Sequence, residues 1–439
     1  MIQFSDRQRM LLIRYGQPVL IGLLVLLNGF ALWNFGLLTK DLIYGDKSAD
    51  ELLIRPLYHP IRVPVREITK ARDAVGRVGS DFAQVYFPGL DVAHMQDGFD
   101  TSRTLDPWRR PSRYAPFVEL ACAATLCNFN FGLACFLHIV FQLLLLYAVL
   151  YWMFREFGIQ QYVLPCLLFV NVCLFLTPVG LAWFERGQFT LYLSASYPLL
   201  IIGLLKKKWP LVAAAAVLAF IKWTSFPAVF VILVVYLLSS RSLREFKSNL
   251  ALAAVFGGVV IALLVVPALF TQGTEAFVRG LLTQEMEDLP KGASLLRYLP
   301  RLAVKLLPLA VIALGYLSAR GRKLSDWLVP YAAGAVIIML VYPTRAYEYG
   351  LPSVLGFIPL LMAWALQPGE ADVRMIRQVL LYVFLLFIGL ASLSTRLFSS
   401  LFSLVQFYVV VALVFMLAPA VLALAQRSKA EASLGVEQA

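Results

Sequence analysis

Long apolar segments follow one another along most of this sequence, and they restrict the chain to folds that are embedded in a membrane. An α-helix needs about 20 mostly apolar residues to cross a bilayer. Twelve segments approach or reach that length, near residues 17–38, 131–154, 160–180, 189–205, 209–222, 226–240, 249–270, 302–319, 327–342, 351–366, 378–395 and 399–425. The pattern therefore predicts an all-α, polytopic transmembrane helical bundle of about 12 spans.

Composition excludes several other classes of protein. The chain is 60% apolar and 15% charged, whereas soluble domains contain about 45–50% apolar and about 25% charged residues. A soluble multidomain enzyme, a disordered chain and a nucleic-acid-binding protein with a charged surface are therefore excluded. The net charge of +12 is better explained by membrane topology.

The basic residues predict an orientation. With the N-terminus in the cytoplasm, 17 of the 38 Lys and Arg residues fall in short cytoplasmic loops and ends, 12 in a long first outer loop, and 9 on or near the outer side. Long translocated loops are largely exempt from the positive-inside rule, so the comparison is 17 inside against 9 outside, which satisfies it. We expect one integral domain over 1–439 in the plasma (inner) membrane, with both termini cytoplasmic and a cytoplasmic tail at 426–439.

The first outer loop, 40–130, is far longer than ordinary connections, which predicts a functional or a disordered segment, and its sequence is not of low complexity. Residues 65–78 alternate apolar and basic side chains at helical spacing, which favours a helix lying in the membrane interface. Ser80 supplies a cap and Asp81 an acidic first turn for a second amphipathic helix. The apolar segment 115–128 is too short to cross, and we expect it to be re-entrant or interfacial.

Ionisable side chains gather at the predicted outer boundary. Each of the five clusters listed below also has a purely structural explanation. In the same order, these are an acid at a helix start, a neutralised pair, a snorkelling lysine, a solvated loop and an aromatic belt. Together they converge on one membrane face, where ionisable residues mark functional sites. The five clusters are Asp81 with Phe82, Glu185–Gln188, Lys222, residues 284–288 with Lys291 and Arg297, and Tyr342–Tyr349.

One carboxylate near several cations suits group transfer from a phosphate-linked donor. The carboxylate can remove a proton from an acceptor hydroxyl, and the cations can neutralise the departing phosphate. The sequence has no P-loop or GxGxxG motif and no metal-ligand spacing, so we expect no cofactor and metal-independent chemistry. The five cysteines are expected to be buried small hydrophobes.

The order of short motifs resembles the GT-C superfamily of polytopic glycosyltransferases, most closely glycosyltransferase family 87, which is similar to polyprenol-phosphate-mannose-dependent mannosyltransferases. The motifs are Ser80-Asp81-Phe82 with Tyr86, then Arg113–Phe117, Gly187-Gln188 and Ala219–Lys222. The resemblance in motifs covers roughly residues 75–240. Over the rest of the chain only the predicted topology resembles that of the family. Phe117 replaces the family's second proline, and Arg345–Tyr349 stands where relatives often carry a histidine, so the sugar and acceptor stay open.

The resemblance implies transfer of a sugar, with inversion, from a polyprenyl-phosphate donor to a hydroxyl of a lipid- or glycan-linked acceptor at the outer face. Asp81 would be the general base. Lys222 and Arg186, with Arg345 of the late outer loop, are expected to bind the donor phosphate. The other expected substrate contacts are Tyr86, Arg113, Tyr114, Glu185, Gln188, Tyr347 and Glu348.

Two alternatives stay open at this point. A lipid-linked polysaccharide polymerase or ligase would place its key arginines and acid in a large late outer loop, for which residues 285–301 are the candidate. A non-enzymatic transporter or lipid flippase would show internal repeats and charges near the midplane, neither of which the sequence displays. The expected partners are membrane lipids, the donor and the acceptor, without nucleic acid.

Overall fold

The computed structural model describes residues 16–40, 79–93, 114–269, 294–342, 348–393 and 400–437, with short pieces at 273, 275, 277–278, 291–292, 345–346 and 397–398. Over these residues the chain is almost entirely helical, which confirms the all-α fold class. The predicted interfacial helix at 65–78 and most of the first outer loop lie outside the described residues. So do residues 284–288 of the fourth cluster.

Fifteen α-helices are formed by the described residues. They are α1 (Gln17–Lys40), α2 (Ser80–Ala93), α3 (Pro116–Ala124), α4 (Phe131–Glu156), α5 (Val163–Phe175), α6 (Pro178–Arg186), α7 (Thr190–Leu205), α8 (Trp209–Ile221), α9 (Phe226–Leu238), α10 (Leu243–Ala268), α11 (Arg301–Ala319), α12 (Leu324–Leu340), α13 (Phe357–Ala365), α14 (Ala371–Leu393) and α15 (Leu401–Glu437).

Short 3-10 helices and one strand pair complete the described secondary structure. The 3-10 helices are Leu126–Asn128, Gln160–Tyr162, Trp223–Ser225, Leu295–Arg297 and Glu348–Val354. Two-residue strands, β1 (Lys291–Gly292) and β2 (Arg345–Ala346), pair in parallel. This pairing brings the fourth and fifth charged clusters of the sequence together through their backbones.

Fewer helices qualify as membrane spans than the sequence predicts. Among the described residues, α4, α10, α11, α14 and the part of α15 up to Leu424 are long and apolar enough to cross a bilayer. Two bent pairs raise the number from five to as many as seven: α5 with α6, bent by 74°, and α8 with α9, bent by 116°. The prediction of about 12 spans is therefore not confirmed, because several predicted segments form shorter or broken helices.

Helix α7 lies at the centre of the packing. All of its residues from 190 to 204 are buried, and it packs against α8, α4, α12 and the 3-10 helix Glu348–Val354. The Ser196 hydroxyl donates to the Ala215 carbonyl at 2.7 Å, and the Gly356 N–H donates to Ser194 Oγ at 2.8 Å. These bonds fix α8 and the chain before α13 against α7.

The short helices of the first loop pack onto the bundle. Helix α2 contacts α3 and the Leu126–Asn128 turn, and also α4 and α6. Helix α3 has nine residues, well below the length of a bilayer crossing. The start of α2 is thereby placed next to the end of α6.

Candidate functional site

Asp81 and Arg186, 105 residues apart in sequence, form a bidentate ion pair. Asp81 lies in the first turn of α2, and Arg186 is the last residue of α6. Arg186 Nε donates to Asp81 Oδ2 at 3.0 Å, and Nη2 donates to Oδ1 at 2.9 Å. The Asp81 side chain is 7% exposed and that of Arg186 is 24% exposed. The guanidinium fork therefore fixes the orientation of an almost buried carboxylate.

Two glycines make this pairing possible. Gly187 ends α6 in the left-handed conformation, with φ of 64°, which a residue with a Cβ adopts only at a cost. A Cβ at Gly187 would also lie 3.0 Å from Phe82 Cβ and 3.6 Å from Gly79 Cα. The Gly79 N–H donates to the Glu185 carbonyl at 2.7 Å. The backbones of α2 and α6 therefore meet directly beside the ion pair.

Lys222 brings a second cation to the same place. It follows α8 at the sharp bend before α9. Its Nζ donates to Gln188 Oε1 at 2.6 Å and to Thr190 Oγ1 at 3.2 Å. Lys222 also lies close enough to Asp81 and Arg186 for the charges to interact. The partly buried ammonium is thus held by neutral oxygens at the start of α7, and it does not point away along the helix surface.

Helix α4 supplies polar residues that are not among the site residues predicted from the sequence. Gln142 Nε2 donates to the Gln188 carbonyl at 2.8 Å and lies 2.9 Å from His138 Nε2. The His138 ring stacks on Phe82 with a centroid separation of 4.8 Å. His138 and Gln142 are both buried in an apolar helix, four residues apart. That i, i+4 polar pair was the sequence signal that could have identified them.

Tyr86 and Tyr114, predicted to bind substrate, lie in an aromatic group that includes Phe82, the residue next to Asp81. The Tyr86 hydroxyl donates to the Phe129 carbonyl at 2.6 Å, and burial raises the pKa of Tyr86 to about 12, with smaller contributions from Cys127 and Cys122. The Tyr114 ring is 4.5 Å from that of Phe189. Both side chains are buried, so their described contacts are packing contacts beside the site.

The other predicted residues separate into two groups. Glu185 is buried beside the site, and Gln188 contacts Lys222. Arg113 and Tyr347 lie outside the described residues, and Arg345 and Glu348 are described only through the backbone of β2 and of the 3-10 helix Glu348–Val354. This 3-10 helix packs against α6, which carries Arg186, so the late loop approaches the site.

Asp81 brings a carboxylate to the two cations Arg186 and Lys222, and the buried residue Glu185 and several aromatic rings lie beside them. Among the residues that the structure describes, no group of three or more His, Cys, Asp or Glu is arranged to hold a metal ion. The described groups can accept a proton at Asp81 and stabilise a neighbouring anion at Arg186 and Lys222.

No family model matches the chain, and no curated protein or solved structure shows significant similarity to it.

Proposed function

We propose that the chain is a membrane glycosyltransferase that moves a sugar from a polyprenyl-phosphate donor to a hydroxyl of a lipid- or glycan-linked acceptor, at the outer face of the inner membrane. The observation that carries this proposal is the convergence of Asp81, Arg186 and Lys222 from three separate parts of the chain. Neighbouring helices long and apolar enough for a bilayer fit a donor that enters from the membrane.

Asp81 is the base in the proposed reaction. The proton of the acceptor hydroxyl passes to an Asp81 carboxylate oxygen while the acceptor oxygen attacks the anomeric carbon of the donor. The bond from that carbon to the phosphate oxygen breaks, and its electron pair leaves with the polyprenyl phosphate. A single displacement of this kind inverts the anomeric carbon. Only one carboxylate is required, and Asp81 supplies it.

Arg186 has two roles in this scheme. Its fork orients the Asp81 carboxylate, and it contributes positive charge where the phosphate leaves. A carboxylate has about four lone-pair sites, more than a bidentate guanidinium uses, so the ion pair is compatible with a hydrogen bond from the acceptor hydroxyl. Arg186 therefore holds the base in position without preventing proton transfer.

Lys222 is assigned to the donor phosphate. Its hydrogen bonds to Gln188 Oε1 and Thr190 Oγ1 hold the ammonium at the start of α7, close to Asp81 and Arg186. A preorganised cation stabilises developing negative charge in a water-poor site at little reorganisation cost. Lys222 would therefore assist departure of the phosphate more than acceptor binding.

The proposal is tested with purified protein in liposomes that contain radiolabelled polyprenyl-phosphate sugars and a mixture of lipid and glycan acceptors. Asp81→Asn should reduce transfer by about 100- to 10,000-fold, since a general base contributes roughly that factor. Asp91→Asn, on the same helix α2, is the matched control and should retain activity. Transfer by Asp81→Asn at the wild-type rate would overturn the assignment.

A further inference from the structure

Two buried thiols pack against α2, the helix that carries Asp81. Cys122 belongs to α3 and Cys127 to the 3-10 helix Leu126–Asn128, and their Sγ atoms are 2.8 Å apart. Their exposed fractions are 4% and 8%. Between them the chain reverses at Thr125, whose N–H donates to the Cys122 carbonyl at 3.0 Å. The turn therefore folds Cys127 back onto Cys122.

The thiol pair touches α2 with no side chain between them. Cys127 Sγ donates to the Tyr86 carbonyl at 3.5 Å. A Cβ at Gly89 would lie 2.7 Å from Cys127 Sγ and 3.1 Å from Cys122 Cβ. Any constraint on these two sulfurs is therefore passed directly to the backbone of α2, one to two turns beyond Asp81.

We propose that Cys122 and Cys127 are joined by a disulfide bond in the mature protein. The inference rests on the proposed function in one respect, because that function places α3 on the outer side, where compartments are oxidising and disulfides persist. A disulfide bond is about 2.05 Å long, so the two sulfurs need only a small movement to form it. The bond would fasten α3 to the turn that supports α2.

The oxidation requires a disulfide-bearing oxidant. One cysteine thiolate attacks a sulfur of the oxidant's disulfide and expels the first oxidant thiolate, which gives a mixed disulfide. The second cysteine thiolate attacks the cysteine sulfur of that mixed disulfide and displaces the second oxidant thiolate. The chain loses two electrons and two protons, and the oxidant becomes a dithiol.

The burial of the pair sets the timing of this step. The hydrogen bond between the two thiols, followed by burial, raises the pKa of Cys122 well above its ordinary value, and exchange needs a thiolate. We therefore place oxidation before the first loop packs onto the bundle. After packing, the bond should resist added reductant until the protein is unfolded.

The other three cysteines provide controls. Cys135 lies on α4 near Gly79 and Gly187, and Cys166 and Cys173 lie on α5. All three are buried free thiols in the structure. They should be alkylated after denaturation whether or not a reductant was added.

The test is alkylation of the full-length protein in denaturant, with and without prior reduction, followed by peptide mass spectrometry. We expect three labelled cysteines without reductant and five after reduction of the denatured protein, because the chain has five cysteines. If the reductant is applied to the folded protein and removed before denaturation, three cysteines should still be labelled. Cys122→Ser should free Cys127 and give four labels without reductant, whereas Cys166→Ser should give two.

Five labels in the unreduced wild-type protein would overturn the disulfide, and this result does not depend on whether any variant folds. The outcome is distinct from the test of the proposed function. Loss of transfer in Asp81→Asn together with five labels would support the transferase and reject the disulfide. Three labelled cysteines together with no transfer by the wild-type protein would support the disulfide and reject the transferase.

Discussion

The two ends of α7 both gather charged side chains, but they do so in different ways. At its N-terminal end, Asp81, Arg186 and Lys222 come together from three segments, and the carboxylate is almost buried. At its C-terminal end, about 24 Å away for 16 residues, Lys206 pairs with Glu156 near the surface. The Lys206 side chain is 37% exposed. One end encloses its charges, and the other leaves them open to solvent.

The cations at the surface end hold neighbouring segments of the chain together. Lys207 donates to Tyr236 Oη and Asn249 Oδ1, and Arg241 donates to the Arg322 carbonyl. A cleft of about 240 Å³ there is lined by Arg241, Glu245, Asn249 and Arg322 among others. Basic residues are therefore abundant at both ends. The enclosure of a carboxylate with cations, and not the number of cations, distinguishes the proposed site.

The largest contrast is expected between Lys222 and Lys206. Lys222→Ala should lower kcat/KM for the polyprenyl-phosphate donor by about 100- to 1,000-fold, the usual cost of removing a preorganised group that stabilises transition-state charge. Lys206→Ala should change it less than about threefold, since exposed pairs contribute little. Donor titrations in liposomes measure kcat/KM for both variants. Equal effects of the two variants would remove the distinction between the ends of α7.

Arg186 provides a sharper test of geometry. Arg186→Lys keeps the charge but loses the fork that holds both oxygens of Asp81. Losing a charge-assisted hydrogen bond costs about 1.5–3 kcal/mol, so activity should fall by about 10- to 160-fold. The matched control is Arg244→Lys on α10, which is exposed. Wild-type activity of Arg186→Lys would show that charge alone is sufficient.

The smallest effect concerns backbone packing. Gly158 and Gly187 both have a positive φ, of 69° and 64°. A Cβ at Gly158 would meet nothing within 4 Å, whereas one at Gly187 would press on Phe82 Cβ at 3.0 Å. Gly158→Ala should cost about 1–2 kcal/mol from the left-handed backbone, and Gly187→Ala should cost more. Thermal unfolding in detergent compares the two variants. Equal decreases in Tm would contradict the close approach of α2 and α6.

Much of the local structure could be predicted from the sequence. The apolar segments predicted near 131–154, 189–205 and 302–319 form helices with closely similar bounds, because helix formation follows local patterns. The sequence predicts Asp81 in the first turn of a helix and Lys222 at the end of the segment 209–222, and both lie there. These features depend on a few neighbouring residues.

Other features depend on distant contacts and could not be read locally. The Asp81–Arg186 pair joins residues 105 positions apart. Their relative orientation depends on the backbone conformation of Gly79 and Gly187, whose φ values the sequence pattern does not specify. The number of spans was also not predictable, because bends such as that between α8 and α9 turn two apolar runs into a single broken span or a re-entrant loop. The Cys122–Cys127 contact arose from a turn that apolar periodicity does not reveal.

The central claim is a single-displacement transfer with Asp81 as base, and the anomeric configuration of the product tests it most directly. Wild-type protein in liposomes is supplied with a polyprenyl-phosphate sugar of known configuration, and the new glycosidic bond is examined by NMR. We expect a product of inverted configuration that does not form with Asp81→Asn. A product of retained configuration, or flux of a solute without any product, would contradict the account.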